Sequence, residues 1–207
     1  MQKTKKKIVE TTIQLFNERG FANVSLPHIA GILDISLGNL TYHFPKKDQL
    51  IDTIYTLFQE ELAFITKDFE VLVDLREMDL QLRAFYDFQQ RFRFFYLDLL
   101  ELERAYPFLA KKHYQHIENQ IEGIYRGFLF NEGMGNLKSQ ASSIVYKQVA
   151  HQFWLCIVFW LMQLAVRGRQ GTVEDMTAAA WTLIHPYLTE KGQEEFAPIF
   201  DFLSQGK

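Results

Sequence analysis

Cysteine is nearly absent: 207 residues contain one, Cys156. A lone thiol forms no internal disulfide and supplies no Cys-based zinc site, so a secreted disulfide scaffold and a zinc finger are both excluded. A reducing, cytoplasmic home is expected. Proline (5) and glycine (11) are scarce and no low-complexity tract occurs, which excludes a collagen-like or linker-rich chain. No apolar run reaches the roughly 20 residues of a bilayer span. The longest, Phe153 to Val166, is shorter and carries Gln163, so no membrane partner is expected. The basic N-terminus reaches Glu10 without a signal-length apolar stretch, and no export is expected. Glycine-rich phosphate loops and nucleophile elbows are missing too. His113 and His116 lack a third ligand at fixed spacing, and Cys156 lies in the apolar run where a thiol is inert. Neither an enzyme nor a cofactor nor a metal site is expected.

What is present is a well-cored composition, 48% apolar and 15% aromatic. The net charge of −3 conceals an asymmetry. Residues 1–50 carry Lys3, Lys5, Lys6, Lys7, Arg19, Lys46 and Lys47 against Glu10, Glu18, Asp34 and Asp48, a balance of +3, and the remainder carries −6. A basic end on an acidic body fits a small module that meets a polyanion.

Apolar residues recur at helical spacing almost throughout, which predicts an all-α fold of nine or ten helices. The first helix runs from about Lys5 to Arg19 with Ile8, Val9, Ile13, Leu15 and Phe16 inward, and Gly20 ends it with a positive φ. Ser25 caps a second helix that tolerates Pro27 in its first turn and buries Ile29, Ala30 and Leu33. Asp34 takes the turn and Ser36 caps a third helix through Phe44, which is helix-turn-helix spacing. After Pro45 a linking helix reaches about Ile65. From Leu80 to Leu102 the positions Phe85, Phe88, Phe92, Phe95, Leu99 and Leu102 predict one aromatic seam over six turns. A helix after Pro107 turns Tyr114, Ile117, Ile121, Ile124 and Phe128 inward, and the stretch after Phe130 reads as a loop. Helices from Ser142 to Arg167, Thr172 to Leu188 and Glu194 to Leu203 complete the chain. The expected division is 1–47, 48–66 and 67–207.

The stretch Ile8 to Phe21 followed by Val24 to Leu50, with LFNERGF, Ile29-Ala30, Ser36, Gly38, Leu40, His43-Phe44 and Lys47-Asp48 in order, closely resembles the DNA-binding domain of the TetR family of transcriptional regulators. The later helices resemble the family only in number, length and order. The resemblance implies an N-terminal three-helix DNA-binding domain and a larger helical domain for ligand binding and dimerisation. It also implies a homodimer, formed through the helices near 142–167 and 172–188, that binds a palindromic operator and acts as a repressor. It places Leu37, Gly38, Asn39, Thr41, Tyr42 and His43 at base edges or backbone, with Ser25, His28, Lys46 and Lys47 near phosphates. Two departures stand out. Thr41 occupies a position where the family usually has tyrosine, and Asp34 one where glycine is common.

By the same resemblance the acidic body takes a small effector, and the linking helix transmits its binding to the reading helices. Phe88, Phe92, Phe95, Tyr96, Tyr125, Phe128, Phe153 and Trp154 are candidates for an apolar pocket, with Arg91, His113, His116 or His151 as polar anchors. An aromatic seam at helical spacing equally describes packed core. Two other readings stay open: an architectural DNA-binding protein without an effector, and a helical enzyme or small-molecule-binding module without DNA. An apolar cavity touching the linking helix would separate effector control from the architectural reading.

Overall fold

The computed structural model describes residues 3–66 and 73–201. Among them the chain forms thirteen α-helices and no strand, only an isolated bridge between Leu137 and Leu188. Two compact units result, Met1–Ala63 with Phe88–His113, and Phe64–Asp87 with Tyr114–Lys207.

The first unit is built on α1 (Lys3–Arg19), α2 (Leu26–Leu33), α3 (Leu37–His43) and most of α4 (Lys47–Thr66). Ile8, Val9, Ile13, Leu15 and Phe16 are buried, as their period requires. Gly20, at φ 74° and ψ 148°, ends α1 in a conformation open essentially to glycine alone. Ser25 Oγ accepts from the His28 amide at the start of α2, and Ser36 Oγ from the Asn39 amide, 3.1 Å away, at the start of α3. Asp34 sits between them in the left-handed region, φ 53° and ψ 46°, at a cost of about 1 kcal/mol. Leu40 and Phe44 are buried and hold α3 to the core.

The six-turn aromatic helix expected from Leu80 to Leu102 is not continuous. It is divided into α5 (Leu75–Arg91), α6 (Arg93–Leu97) and α7 (Leu99–Ala105), interrupted at Phe92 and Asp98. A side chain of α1 serves the first break: Asn17 Nδ2 donates to Arg91 O at 2.8 Å, and Asn17 Oδ1 accepts from the Phe94 amide at 2.9 Å. At the second break, Asp98 Oδ2 accepts from the Phe21 amide. The two Asn17 bonds satisfy backbone groups that a continuous helix would have paired internally, and the Asp98 carboxylate satisfies the Phe21 amide just past the end of α1.

Arg91 fastens the same region electrostatically. Its Nη2 donates to both Glu10 carboxylate oxygens at 2.9 and 3.0 Å, and its Nε lies 3.0 Å from Glu61 Oε2. All three side chains are about one-third exposed, so solvent screens the network. Arg91→Met is expected to cost about 1–2 kcal/mol, a melting temperature lower by roughly 2–8 °C. The loss should shrink in molar salt, and a salt-independent loss would assign the effect to packing instead.

The second unit contains most of α8 (Pro107–Gly133), then α9 (Ile144–Val158), α10 (Trp160–Val166), α11 (Val173–Thr182), α12 (Glu190–Glu195) and α13 (Ala197–Phe200). Pro107 opens α8, at a position where its missing N–H costs no helical bond. That helix continues through Gly133, beyond the expected loop start, and Tyr114 is 64% exposed rather than inward. The helix expected from Ser142 to Arg167 is bent by 48° at Phe159. α11 starts with a reciprocal capping box between Thr172 and Asp175. It stops at Thr182, short of the expected Leu188, because Pro186 forces a 3-10 turn over His185–Tyr187. The expected last helix divides into α12 and α13, and its residues 202 and 203 lie outside the described ones. These divisions raise the helix count above the nine or ten expected.

No single described helix is long and apolar enough to cross a membrane; only the bent α9–α10 pair passes by length and composition. Phe153, Trp154, Ile157, Leu161 and Leu164 of that pair are buried in the core of the second unit. Trp181 is fully buried there too, and its Nε1 donates to Asp79 Oδ1 at 2.7 Å.

Burial also lowers the pKa of His116 from its ordinary 6.5. Below about pH 6.5 the unfolded chain therefore takes up a proton that the folded chain refuses, and stability falls as pH drops through that range. Thermal melts between pH 7.5 and 5 should show this slope, and His116→Gln should flatten it.

Candidate functional site

The capped α2–turn–α3 segment presents a surface. Tyr42 is 82% exposed and Leu37 is 45% exposed, with Gly38 and Asn39 also open, while Leu40 anchors the opposite face. Tyr42 packs edge-on to half-buried His43, ring centroids 5.2 Å apart. Thr41 is half-buried and its Oγ1 donates to its own helix, to Leu37 O at 2.9 Å, leaving only its lone pairs for an external donor. At the start of α2, Ser25 is exposed but its oxygen is occupied as a cap, and His28 is half-buried. Lys46 is exposed.

Lys47 differs from the others. Its ammonium donates to Phe21 O at 2.7 Å and lies 5.5 and 5.3 Å over the rings of Phe16 and Phe21. Burial lowers its pKa, although the acid Glu101 partly offsets this. The side chain is thus a post holding α4 against the end of α1, a role its sequence position gave no sign of. Lys5 similarly stands over Phe44 at 5.2 Å.

The eight aromatics expected to line a pocket do not converge. Phe88, Phe92, Phe95 and Tyr96 belong to the first unit, stacked around Phe58 at centroid distances of 4.8, 5.3, 4.4 and 6.2 Å. Phe92 and Phe95 line a void of only about 10 Å³ there, beside Tyr55, whose buried hydroxyl has no hydrogen-bond partner among the described residues. In the second unit, Phe128 packs on Phe153 at 5.7 Å, and Tyr125 lies under the Lys147 ammonium. Only Phe153 and Trp154 reach a larger cavity, of about 30 Å³, shared with Ile65, Met78, Gln81, Leu82, Phe85, Gln120, Ile124 and Ile157.

Among the proposed anchors, Arg91 is held by Glu10 and Glu61, His113 packs on Phe95 at 5.2 Å, and exposed His151 lies beside Trp154. None of them lines the cavity. Its polar groups are instead two carboxamides, which sequence reading missed because glutamine forms no motif. Gln120 Oε1 accepts from Trp154 Nε1 at 2.9 Å, whereas Gln81 Oε1 is buried without a hydrogen-bond donor among the described residues. A signal existed for Gln81, which sits four residues before Phe85 and hence on the seam's face. Cys156 is half-buried, and burial raises its thiol pKa, the opposite of an activated nucleophile. Among the described residues no three His, Cys, Asp or Glu side chains come together to hold a metal.

A serine-capped helix pair with an open third-helix face, in an all-α chain with an apolar cavity in its second unit, defines a helix-turn-helix DNA-binding transcriptional regulator. The chain belongs to the TetR family: the profile described as bacterial regulatory proteins, tetR family, matches residues 8–54, and that described as bacterial transcriptional repressor matches residues 57–196. It is 35% identical over 57 residues to the probable HTH-type transcriptional regulator YttP of Bacillus subtilis (strain 168), covering 28% of each chain. It is 30% identical over 101 residues to the HTH-type transcriptional regulator RutR of Escherichia coli (strain K12), covering 46% of this chain and 48% of that one. The matched stretches thus span half or less of these curated relatives. Among solved structures, a TetR-family transcriptional regulator from Marinobacter aquaeolei VT8 superposes with a TM-score of 0.86 at 26% identity, covering 97% of this chain and 98% of the other.

Proposed function

We propose that the protein is a cytoplasmic, homodimeric repressor that binds an inverted-repeat operator and leaves it when a small apolar effector enters the cavity of the second unit. In this reading residues 1–47 read DNA, 48–66 transmit the signal, and 67–207 bind effector and dimerise. The observation that carries it is the exposure of Leu37, Gly38, Asn39 and Tyr42 on a short helix whose Leu40 and Phe44 are locked in the core. A recognition helix must be rigid behind and bare in front. Ser25 and His28 then flank the groove, and Lys46 with the exposed Lys3, Lys6 and Lys7 supplies cations for phosphates. Lys47 serves as a positioning residue.

Dimerisation through α9, α10 and α11 is supported by apolar side chains left in solvent: Ile144 is 57% exposed, Leu155 40% and Phe159 43%. A two-fold axis there pairs two recognition helices with half-sites about 34–36 Å apart. Effector control is favoured over an architectural role because Ile65, in the last turn of α4, is part of the cavity wall. Coupling of this kind typically amounts to about 1–3 kcal/mol and is reciprocal.

Selection of bound sequences from random duplex DNA by the purified protein tests the reading. An inverted repeat with two equal half-sites is expected. Recovery of no common sequence would favour the architectural alternative, and failure to retain any DNA would remove both.

A further inference from the structure

The cavity of the second unit has a chemistry that its position does not dictate. Its wall consists of aliphatic and aromatic side chains with no charged group, plus the carboxamides of Gln81 and Gln120. The Gln120 carbonyl is satisfied by the Trp154 indole at 2.9 Å. The Gln81 carbonyl oxygen is buried with no donor among the described residues. A buried acceptor without a protein donor is open to one supplied by a guest, whereas a wholly apolar guest would leave it unpaired. A charged guest would lose its hydration and meet no counter-charge.

We infer that Gln81 is the specificity-determining residue of this cavity, and that the cavity takes a neutral, largely apolar molecule carrying one hydrogen-bond donor, a hydroxyl or an amide N–H, seated against Gln81 Oε1. The inference rests on the reading of this cavity as the effector pocket. At about 30 Å³ the present space suits a water molecule or two, so a larger guest enters by displacing wall side chains. Met78 is the wall residue best suited to yield. Its thioether is unbranched and packs on Gly127, where a Cβ would stand 3.2 Å from the sulfur.

The test uses p-cresol, p-xylene and 4-methylbenzoate as probes of one shape, with Kd measured by titration calorimetry on the full chain and on Gln81→Leu. Replacing this carboxamide with an apolar side chain of similar length should leave the fold intact; Gln81→Met serves as a second variant. The expected result is that the p-cresol to p-xylene affinity ratio falls about tenfold or more in Gln81→Leu, with 4-methylbenzoate binding neither protein. An unchanged ratio, with both neutral probes bound, would overturn the role of Gln81 and leave the pocket reading standing. Tighter binding of 4-methylbenzoate than of p-cresol would overturn the neutral-ligand assignment. Failure of all three to bind at millimolar concentration would overturn the inference together with the pocket reading.

Discussion

Tyr42→Ala is expected to weaken operator binding by roughly 30- to 1,000-fold while leaving the melting temperature almost unchanged. Tyr42 is 82% exposed and packs edge-on to its neighbour His43, so its removal opens no cavity and strands no buried group. Surface substitutions of this kind fall within about 0.5 kcal/mol of neutral. A lost base-edge or groove contact costs about 1–2 kcal/mol, and a homodimer loses it in both half-sites, about 2–4 kcal/mol together. Lys46→Ala provides the contrast. As a phosphate contact it should weaken binding to all duplexes alike and reduce the salt slope by about 2 per dimer, without altering sequence preference. Equal affinity of Tyr42→Ala and wild type for the selected duplex would remove α3 as the reading element.

The largest stability effect is expected at Trp181. Its side chain is fully buried, with ring centroids 5.6 Å from Phe153 and 6.0 Å from Phe200, and its indole donates to Asp79. Asp79 is itself only 8% exposed and accepts from Arg83 Nε at 2.7 Å through its other oxygen. Trp181→Ala therefore leaves a void behind Phe153 and deprives a buried carboxylate of one donor. The cost should be about 3–5 kcal/mol, or roughly 6–20 °C in melting temperature for a chain of this size. Trp181→Phe retains most of the volume and loses only the donor, so about 1–3 kcal/mol is expected. Chemical denaturation of the two variants separates packing from hydrogen bonding, and equal losses would mean that the void contributes nothing.

The two serine caps, Pro27 in the first turn and Asp34 in the left-handed turn were legible because each acts within four residues of itself in sequence. The buried face of α1 was legible for the same reason, since it depends only on period. The interruptions at Phe92 and Asp98 were not. The first depends on Asn17, 74 positions before Arg91, whose carboxamide replaces bonds within the helix, and the second lies where Asp98 accepts from the Phe21 amide, 77 positions away. Once the seam is broken, its aromatics part company. Phe85 reaches the cavity of the second unit, while Phe92 and Phe95 stack in the first.

The cavity itself escaped the aromatic pattern for a related reason. Its distinguishing groups are two glutamines, and whether a carboxamide is satisfied depends on which donor folding brings to it. Trp154 was anticipated as a wall residue, but its indole occupies Gln120 and leaves Gln81 open. Lys47 shows the converse. Its charge and place in the motif suggested a phosphate contact, and nothing in its neighbourhood in sequence announced the bond to Phe21 O and the two rings beneath its ammonium.

The central claim is that this chain grips a DNA duplex through cations flanking a reading helix, in two copies. The most direct test is an anisotropy titration of the purified protein on its selected duplex at 50 and 200 mM salt. With three or four phosphate-neutralising cations per subunit, about seven per dimer, the slope of log affinity against log salt is near −6. Affinity should fall roughly 10³- to 10⁴-fold between the two conditions, and a salt-insensitive affinity, or none at 50 mM, would contradict the account.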